Sequence, residues 1–82
     1  MKNKRQTLPI CNDSVPWLLL VLEPLGEDYY LQRGEKFEVV AEEIPDRFSF
    51  QVDIINAEQV VVWEVGNITI WARRRHPSQS LL

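Results

Sequence analysis

Apolar and polar side chains alternate along residues 48–54, and this alternation limits the fold more than any other feature of the chain. The apolar residues are Phe48, Phe50, Val52 and Ile54, and the positions between them are polar. A period of two is typical of a β-strand that buries one face. The sequence therefore predicts a strand here, and a fold in which one face of a sheet is covered.

Further short apolar runs predict more strands, separated by turn residues at intervals of about 8–12 positions. The predicted strands cover residues 7–11, 17–22, 28–31, 37–43, 48–54, 60–65 and 68–73. Pro9 has no backbone N–H, so the first strand is expected at a sheet edge. We predict an all-β fold, a small antiparallel sandwich of six to seven short strands that is immunoglobulin-like in architecture. A small open barrel is the alternative.

Two of these strands carry information about burial. In the strand over residues 37–43, Phe37, Val39 and Ala41 are expected to share one face. The strand over residues 17–22 is apolar at every position, which is typical of a central strand or of one covered on both sides.

The last two predicted strands flank Gly66-Asn67, a pair that favours a two-residue hairpin turn of type II′. Such a turn places Trp63 opposite Ile70. The face that this register assigns to the core is wholly apolar and consists of Val61, Trp63, Val65, Ile68, Ile70 and Ala72.

The other face of this predicted hairpin is a candidate interaction surface. It brings Trp71 and Arg73 together with Val60 and Val62. Trp and Arg are enriched at the energetic centres of protein interfaces. The alternative is that another part of the chain covers Trp71, which would then belong to the core.

The chain has 82 residues, enough for one domain. We expect a flexible basic tail over residues 1–6, a single all-β domain over residues 7–75 and a flexible C-terminal tail over residues 76–82. The core of so short a chain supplies about 3–5 kcal/mol. Its single cysteine excludes an internal disulfide. Stability must then come from close packing or from self-association.

Charge is distributed unevenly along the chain. Six basic residues lie near the two ends: Lys2, Lys4, Arg5, Arg73, Arg74 and Arg75. The stretch between them holds all twelve carboxylates and three basic residues, a net charge of −9. An acidic body disfavours nucleic-acid binding, which needs a basic face. We expect the terminal basic residues to offset the carboxylates of the body.

No targeting or membrane segment is expected. Residues 1–5 are basic, but no apolar segment follows them as it would in a signal peptide. The longest apolar run, residues 15–22, is shorter than the roughly 20 residues of a membrane helix and contains Pro16. We expect a cytoplasmic protein without a membrane partner.

Reactive residues are few and scattered. His76, the single histidine, lies in the predicted C-terminal tail, so we expect no base–nucleophile pair with Ser14 or Cys11. Cys11 is expected to be a small buried apolar residue. One histidine, one cysteine and one methionine do not make a metal ligand set, and residues 12–14 read as a turn. We predict no catalytic residue, metal or cofactor.

Small-ligand binding is the alternative function. Trp17, Tyr29 and Tyr30 supply aromatic rings near one end of the predicted sheet, and Glu23 ends an apolar strand directly before Pro24. A deep cavity bordered by Glu23 and a tyrosine hydroxyl would favour this hypothesis. A filled interior would oppose it.

Residues 12–41 resemble a group of short uncharacterised bacterial proteins. The shared features, in order, are an Asn-x-Ser turn at residues 12–14, an apolar strand ending in Glu-Pro-x-Gly at residues 23–26, an aromatic residue at Tyr29, a turn at Gly34 and a Val-Val-Ala strand at residues 39–41. Leu25 stands where the group has Trp, and Arg33 where it has Pro. The resemblance implies a compact β domain and no assigned activity.

These observations favour a non-enzymatic interaction or accessory domain. Its partner is expected to be another protein or a second copy of the chain, bound through exposed residues or strand edges. Hydrolysis by paired carboxylates and nucleic-acid binding through residues 73–75 are disfavoured.

Overall fold

The computed structural model describes residues 4–45, 48–64 and 68–75. These residues form seven strands: β1 (Arg5–Cys11), β2 (Trp17–Glu23), β3 (Glu27–Gln32), β4 (Lys36–Glu42), β5 (Gln51–Asn56), β6 (Gln59–Trp63) and β7 (Thr69–Arg75).

The strands form two sheets. Sheet A has three strands in the order β1-β4-β7, and sheet B has four in the order β3-β2-β6-β5. Neighbouring strands are antiparallel except β2 and β6, which are parallel. The predicted all-β sandwich is confirmed, and the described residues contain neither a helix nor a closed barrel.

The strand order differs from that of immunoglobulin domains. In those domains the first two strands and the fourth and fifth share a sheet, whereas here β1 and β2 lie in different sheets. The chain changes sheets after β1, β3, β4 and β6, and only β2–β3 and β5–β6 are hairpins within one sheet. The likeness to immunoglobulin domains is therefore limited to the layered architecture.

The core lies between the two sheets and follows the alternation of each strand. Leu20 and Leu22 of β2 meet it from sheet B, beside Val60 and Val62 of β6. Phe37, Val39 and Ala41 of β4 share the inner face of sheet A, as predicted, and Ile70 lies beside Ala41. β2 is a central strand, which also agrees with its continuous apolar sequence.

The predicted hairpin between residues 60–65 and 68–73 is wrong. β6 pairs with β2 and β5, whereas β7 pairs with β4 in the other sheet. Trp63 thus lies beside Glu23 and Gln51, not beside Ile70. The predicted turn at residues 66–67 lies outside the described residues, as does Val65.

The inner face of β6 was also assigned wrongly, while that of β7 was correct. Val60 and Val62 belong to the core cluster, whereas Val61 and Trp63 point to the outer side of sheet B. In β7, Ile70 and Ala72 face the core as predicted. Three consecutive valines carry no alternation, so the β6 assignment rested only on the supposed pairing with β7.

Two strands, β1 and β5, begin at residues other than the predicted ones. β1 begins at Arg5, so residues 5 and 6 belong to sheet A and not to the predicted tail. Pro9 lies on an edge strand, as expected. β5 begins at Gln51 and not at residue 48. Phe48 and Phe50 precede it and pack against the core, with their rings edge to face and 5.1 Å between centroids.

A buried asparagine joins the β1–β2 connection to the end of β3. Asn12 Nδ2 donates to the carbonyl oxygens of Val15 at 2.9 Å and Leu31 at 2.8 Å, and Asn12 Oδ1 accepts from the Val15 N–H at 3.2 Å. The Gly34 N–H donates to the Asn12 carbonyl at 2.6 Å. Gly34 has φ of +91°, a conformation that glycine adopts without strain. The predicted turn at residues 12–14 is thus a structural joint.

Candidate interaction faces

The outer face of sheet A is centred on a buried carboxylate. Glu38 is 8% exposed and accepts hydrogen bonds from Arg73 Nη2 and Arg75 Nη1, each at 2.8 Å. Hydrogen bonding from Arg73, followed by that from Arg75, holds the pKa of Glu38 below its ordinary value. The three side chains can meet because their positions lie on neighbouring strands, β4 and β7, and point to the same side.

A second carboxylate on this face is held in the same way. Glu42 accepts from Arg5 Nη2 at 2.9 Å and from Trp71 Nε1 at 2.6 Å. The hydrogen bond from Arg5 lowers the pKa of Glu42, and that from Trp71 adds to the effect. The Arg73 guanidinium lies 5.3 Å from the centre of the Trp71 ring. On the outer face of sheet A, Glu38 and Glu42 therefore each have an arginine partner within the same face.

The predicted patch of Trp71, Arg73, Val60 and Val62 does not exist as a unit. Trp71 and Arg73 lie together on the outer face of sheet A, as the alternation of β7 indicated. Val60 and Val62 lie in the core, on the other sheet. The error has the same cause as the predicted hairpin, which joined β6 to β7.

A hollow of about 200 Å³ opens at one end of the outer face of sheet A. Its lining consists of Pro9, Cys11, Lys36, Phe37, Glu38 and Arg75. The prediction that Cys11 is buried is wrong. Its side chain is exposed, because it points outward from the edge strand β1. The hollow lies on the sheet opposite to the predicted ligand site.

The predicted ligand site near Glu23 is divided between two sides of sheet B. Tyr29 faces the core, where its ring lies 5.5 Å from that of Phe37, and its hydroxyl donates to Glu27 at 3.0 Å. Burial, and secondarily Glu27, raises the pKa of Tyr29. Tyr30 points outward beside Leu19. Consecutive residues of a strand cannot line one pocket, so the predicted pairing of the two tyrosines is wrong.

Apolar residues cluster on the outer side of sheet B. We call this cluster the apolar outer face and define it by the outward apolar residues of β2, β3 and β6. They are Trp17, Leu19, Val21, Tyr30, Val61 and Trp63, of which Val61 is itself buried. Trp17 is 51% exposed and Tyr30 is 57% exposed. Two members of the predicted ligand site, Trp17 and Tyr30, therefore belong to an open surface.

The border of the apolar outer face is acidic. Glu23, Asp28 and Asp53 point to this side from three different strands. The Asp53 carboxylate accepts a hydrogen bond from Trp63 Nε1 at 2.8 Å, which fixes the indole against the sheet. Among the described β-strand positions on this face, none is basic.

Arginine partners restrict the acid–base chemistry of the carboxylates on sheet A. Glu38 and Glu42 are engaged by arginine, and a lowered pKa keeps a carboxylate ionised and makes it a poor proton donor near neutral pH. No group of three or more metal-ligating side chains occurs in the described part of the chain. Within the same residues, the structure contains no helix with the length and hydrophobicity needed to cross a bilayer.

Sequence reasoning did not identify the apolar outer face, although its signal was present. The sequence predicts that the strand over residues 17–22 is apolar on both sides, as in a central strand or one covered on both sides. Within residues 4–45, 48–64 and 68–75, the second sheet covers the side bearing Leu20 and Leu22 and not the other side. Once β2 is placed at the centre of a sheet, its other side must be either covered or displayed.

Comparisons of the chain with protein-family models, with curated proteins and with solved structures find no match. The resemblance to short bacterial proteins therefore stays a prediction, and function has to be inferred from the geometry of the two faces.

Proposed function

We propose that this protein is a non-enzymatic interaction domain that binds a partner protein through the apolar outer face. The observation that carries the proposal is the exposure of Trp17 and Tyr30 beside the half-buried Leu19 and Val21 on a paired sheet. Contiguous exposed apolar surface is uncommon on monomeric proteins and marks binding sites when polar residues border it.

The construction of this surface favours binding energetically. Trp and Tyr contribute large contact areas with few rotatable bonds, so little conformational entropy is lost when they are covered. Leu19 and Val21 belong to the central strand β2, which is held on both sides by β3 and β6. A partner therefore meets a surface that is already ordered.

The acidic border specifies the chemistry of the partner. Glu23, Asp28 and Asp53 surround an uncharged centre. A complementary surface has an apolar centre with Lys or Arg at its rim, because charges at a rim guide association and exclude partners of like charge. We propose a partner of this kind, in the cytoplasm, where the exposed Cys11 thiol is expected to remain reduced.

The proposal is tested with the double variant Trp17→Ser/Tyr30→Ser. A partner captured with the wild-type protein is purified, and its Kd is measured by calorimetry for the wild type and the variants. We expect at least a tenfold weaker Kd for the double variant, since truncated aromatic anchors typically cost about 2 kcal/mol or more. The free energy of unfolding should change by less than about 0.5 kcal/mol for each substitution, because both residues are exposed.

Leu25→Ser is the matched control, because Leu25 is 53% exposed but lies in the β2–β3 turn. It should bind the partner as the wild type does. An unchanged Kd in the double variant would disprove the proposal. If the double variant is less stable than expected, Tyr30→Ser alone provides the same comparison on an edge strand.

A further inference from the structure

β5 leaves both its backbone edge and its inner face open. It is the last strand of sheet B, so none of the described strands pairs with its outer edge. Val52 and Ile54 point to the core side, as do their register partners Val62 and Val60. Ile54 is nevertheless 80% exposed, whereas Val60 is 9% exposed. Sheet A, with one strand fewer, does not extend over β5.

The other three edges of the two sheets carry residues that oppose the addition of a strand. β1 contains Arg5 and Pro9, β7 ends in three consecutive arginines, and β3 begins with Glu27 and Asp28. Charges and proline on edge strands prevent pairing between proteins. The only charged residue of β5 is Asp53. Among the edges of the described sheets, β5 is therefore the least protected.

We propose that β5 pairs antiparallel with β5 of a second copy of this chain, across a two-fold axis perpendicular to the sheet. The two copies of sheet B, with four strands each, then form one continuous sheet. The contact runs along the outer edge of β5 and shares Asp53 with the acidic border of the apolar outer face. It does not depend on the function proposed for that face.

Symmetry and charge decide between the registers centred on Val52, Asp53 and Ile54. A two-fold axis perpendicular to the sheet keeps the inner faces of both copies on the same side. Inward residues must then lie opposite inward residues, so the axis passes midway between one residue and the same residue of the second copy. An axis at Asp53 would place two like charges directly opposite each other, which is destabilising. An axis at Ile54 would place Val52 opposite the amide of Asn56.

An axis at Val52 avoids both problems. On the inner side, Val52 meets its own copy, and Ile54 lies opposite Phe50, which packs against the core. On the outer side, Gln51 lies opposite Asp53. The Asp53 carboxylate already accepts from Trp63, and its remaining lone pairs can accept from the Gln51 amide. Every inward pair is apolar and no like charges are opposed.

Few residues take part in this contact, so a weak dimer is expected. Interfaces below about 1,200 Å² are typical of transient association. We expect the mass measured by sedimentation equilibrium to rise from 9.6 kDa toward twice that value between about 10 µM and about 1 mM protein. A monomer throughout this range would overturn the proposal and would leave the β5 edge to a strand from a different protein.

Val52→Lys tests whether β5 is the edge that pairs. It places two ammonium groups opposite each other on the axis and should weaken dimerisation at least tenfold. The matched control is Thr69→Lys, which adds the same charge at an exposed position of β7, an edge strand of sheet A. The control should dimerise as the wild type does. Dimerisation unaffected by Val52→Lys would overturn the proposal.

A cysteine scan tests the register. Cys11→Ser removes the native thiol, and Val52→Cys or Ile54→Cys is then introduced in that background. Opposed residues have Cα atoms about 4.5–5.5 Å apart, within the range of a disulfide, so Val52→Cys should cross-link to its copy under mild oxidation. The two Ile54 positions would be four residues apart along the strand, about 14 Å, and Ile54→Cys should not.

The two cysteine variants also separate the possible failures. Faster cross-linking at position 54 than at position 52 would overturn the Val52 axis. Cross-linking at neither position, with circular dichroism showing an intact sheet, would overturn pairing through β5. The Trp17→Ser/Tyr30→Ser variant should dimerise normally, so a failure of the proposed function is distinguishable from a failure of the dimer.

Discussion

The outer faces of the two sheets differ in the side chains that they expose to solvent. On sheet A, carboxylates at Glu38 and Glu42 are surrounded by Arg5, Arg73 and Arg75, with Trp71 donating to one of them. On sheet B, the apolar outer face has aromatic and aliphatic residues at its centre and carboxylates at its border. The first face satisfies its own charges, whereas the second displays apolar surface and an acidic rim.

The comparison shows that charge counted along the sequence does not indicate which charged residues are left for a partner. The arginines of β7 look like a basic recognition site, yet Arg73 and Arg75 share Glu38, and Arg74 pairs with Glu35 at 3.2 Å. The surface proposed to bind a partner lies instead on the outer side of sheet B, which carries few charges. The predictions that follow compare how much each face, and the connection between the sheets, contributes to the stability of the fold.

The largest loss of stability is expected at neither face but at the joint between the sheets. Asn12→Ala removes three hydrogen bonds and leaves the buried Leu31 carbonyl without its side-chain donor. We expect the free energy of unfolding to fall by about 2–4 kcal/mol, measured by urea denaturation. Asp13→Ala, at an exposed neighbouring position, is the control and should be nearly neutral. Equal losses at both positions would show that Asn12 is not the joint.

An intermediate effect is expected at the centre of sheet A. Glu38→Gln replaces an ionised acceptor by a neutral amide beside Arg73 and Arg75 and should cost about 1–2 kcal/mol at pH 7. Glu58→Gln, at an exposed turn position, should leave the urea midpoint unchanged. If Glu38→Gln is as stable as the wild type, the ion pairs of Glu38 with Arg73 and Arg75 contribute nothing to the free energy of unfolding.

The stability that Glu38 contributes is expected to depend on pH. The pKa of Glu38 is lower in the folded protein than its ordinary value of 4.5, chiefly because Arg73 donates to it. The stabilisation is therefore fully present above pH 4.5 and is lost as the pH falls through the lowered folded value. Urea midpoints of the wild type and Glu38→Gln should differ at pH 7 and converge toward pH 2–3. A constant difference would contradict this linkage.

The smallest changes in the free energy of unfolding are expected when one tryptophan on each face is replaced by Phe. Trp71 Nε1 donates to Glu42 in a partly buried setting, and Trp63 Nε1 donates to Asp53 in an exposed one. Replacement by Phe removes each donor and keeps most of the ring. Trp63→Phe should change the free energy of unfolding by less than about 0.5 kcal/mol, and Trp71→Phe should lower the urea midpoint more. The reverse order would mean that sheet B depends more on its outer face than sheet A does.

The sequence predicted those parts of the fold that depend on local pattern. β2 and β4 were located to within one residue at each end, and the edge position of β1 followed from Pro9. The β6–β7 hairpin failed because a Gly-Asn pair is a local signal, whereas the pairing of β6 with β2 joins segments far apart in the chain. Three consecutive valines offered no alternation to oppose the error.

The candidate faces were less predictable, because exposure of a strand depends on its neighbours. Alternation correctly grouped Trp71 with Arg73 and should have separated Tyr29 from Tyr30. It also predicted that Ile54 is buried, and this was wrong. Ile54 does point to the inner side, but its cover depends on the width of sheet A, and no residue near Ile54 encodes that width.

The parallel pairing of β2 with β6 has a consequence for the order in which the protein assembles. The β2–β3 and β5–β6 hairpins join neighbouring segments and can form early, whereas the seam between them requires Leu20 to meet Val60. The Leu19 N–H bonds to the Glu58 carbonyl at one end of this seam, and the Glu64 N–H bonds to the Glu23 carbonyl at the other. Contacts so distant along the chain slow folding. During synthesis, the β2–β3 hairpin and the β1–β4 pair are therefore complete before β6, the strand that pairs with the free edge of β2, has been made.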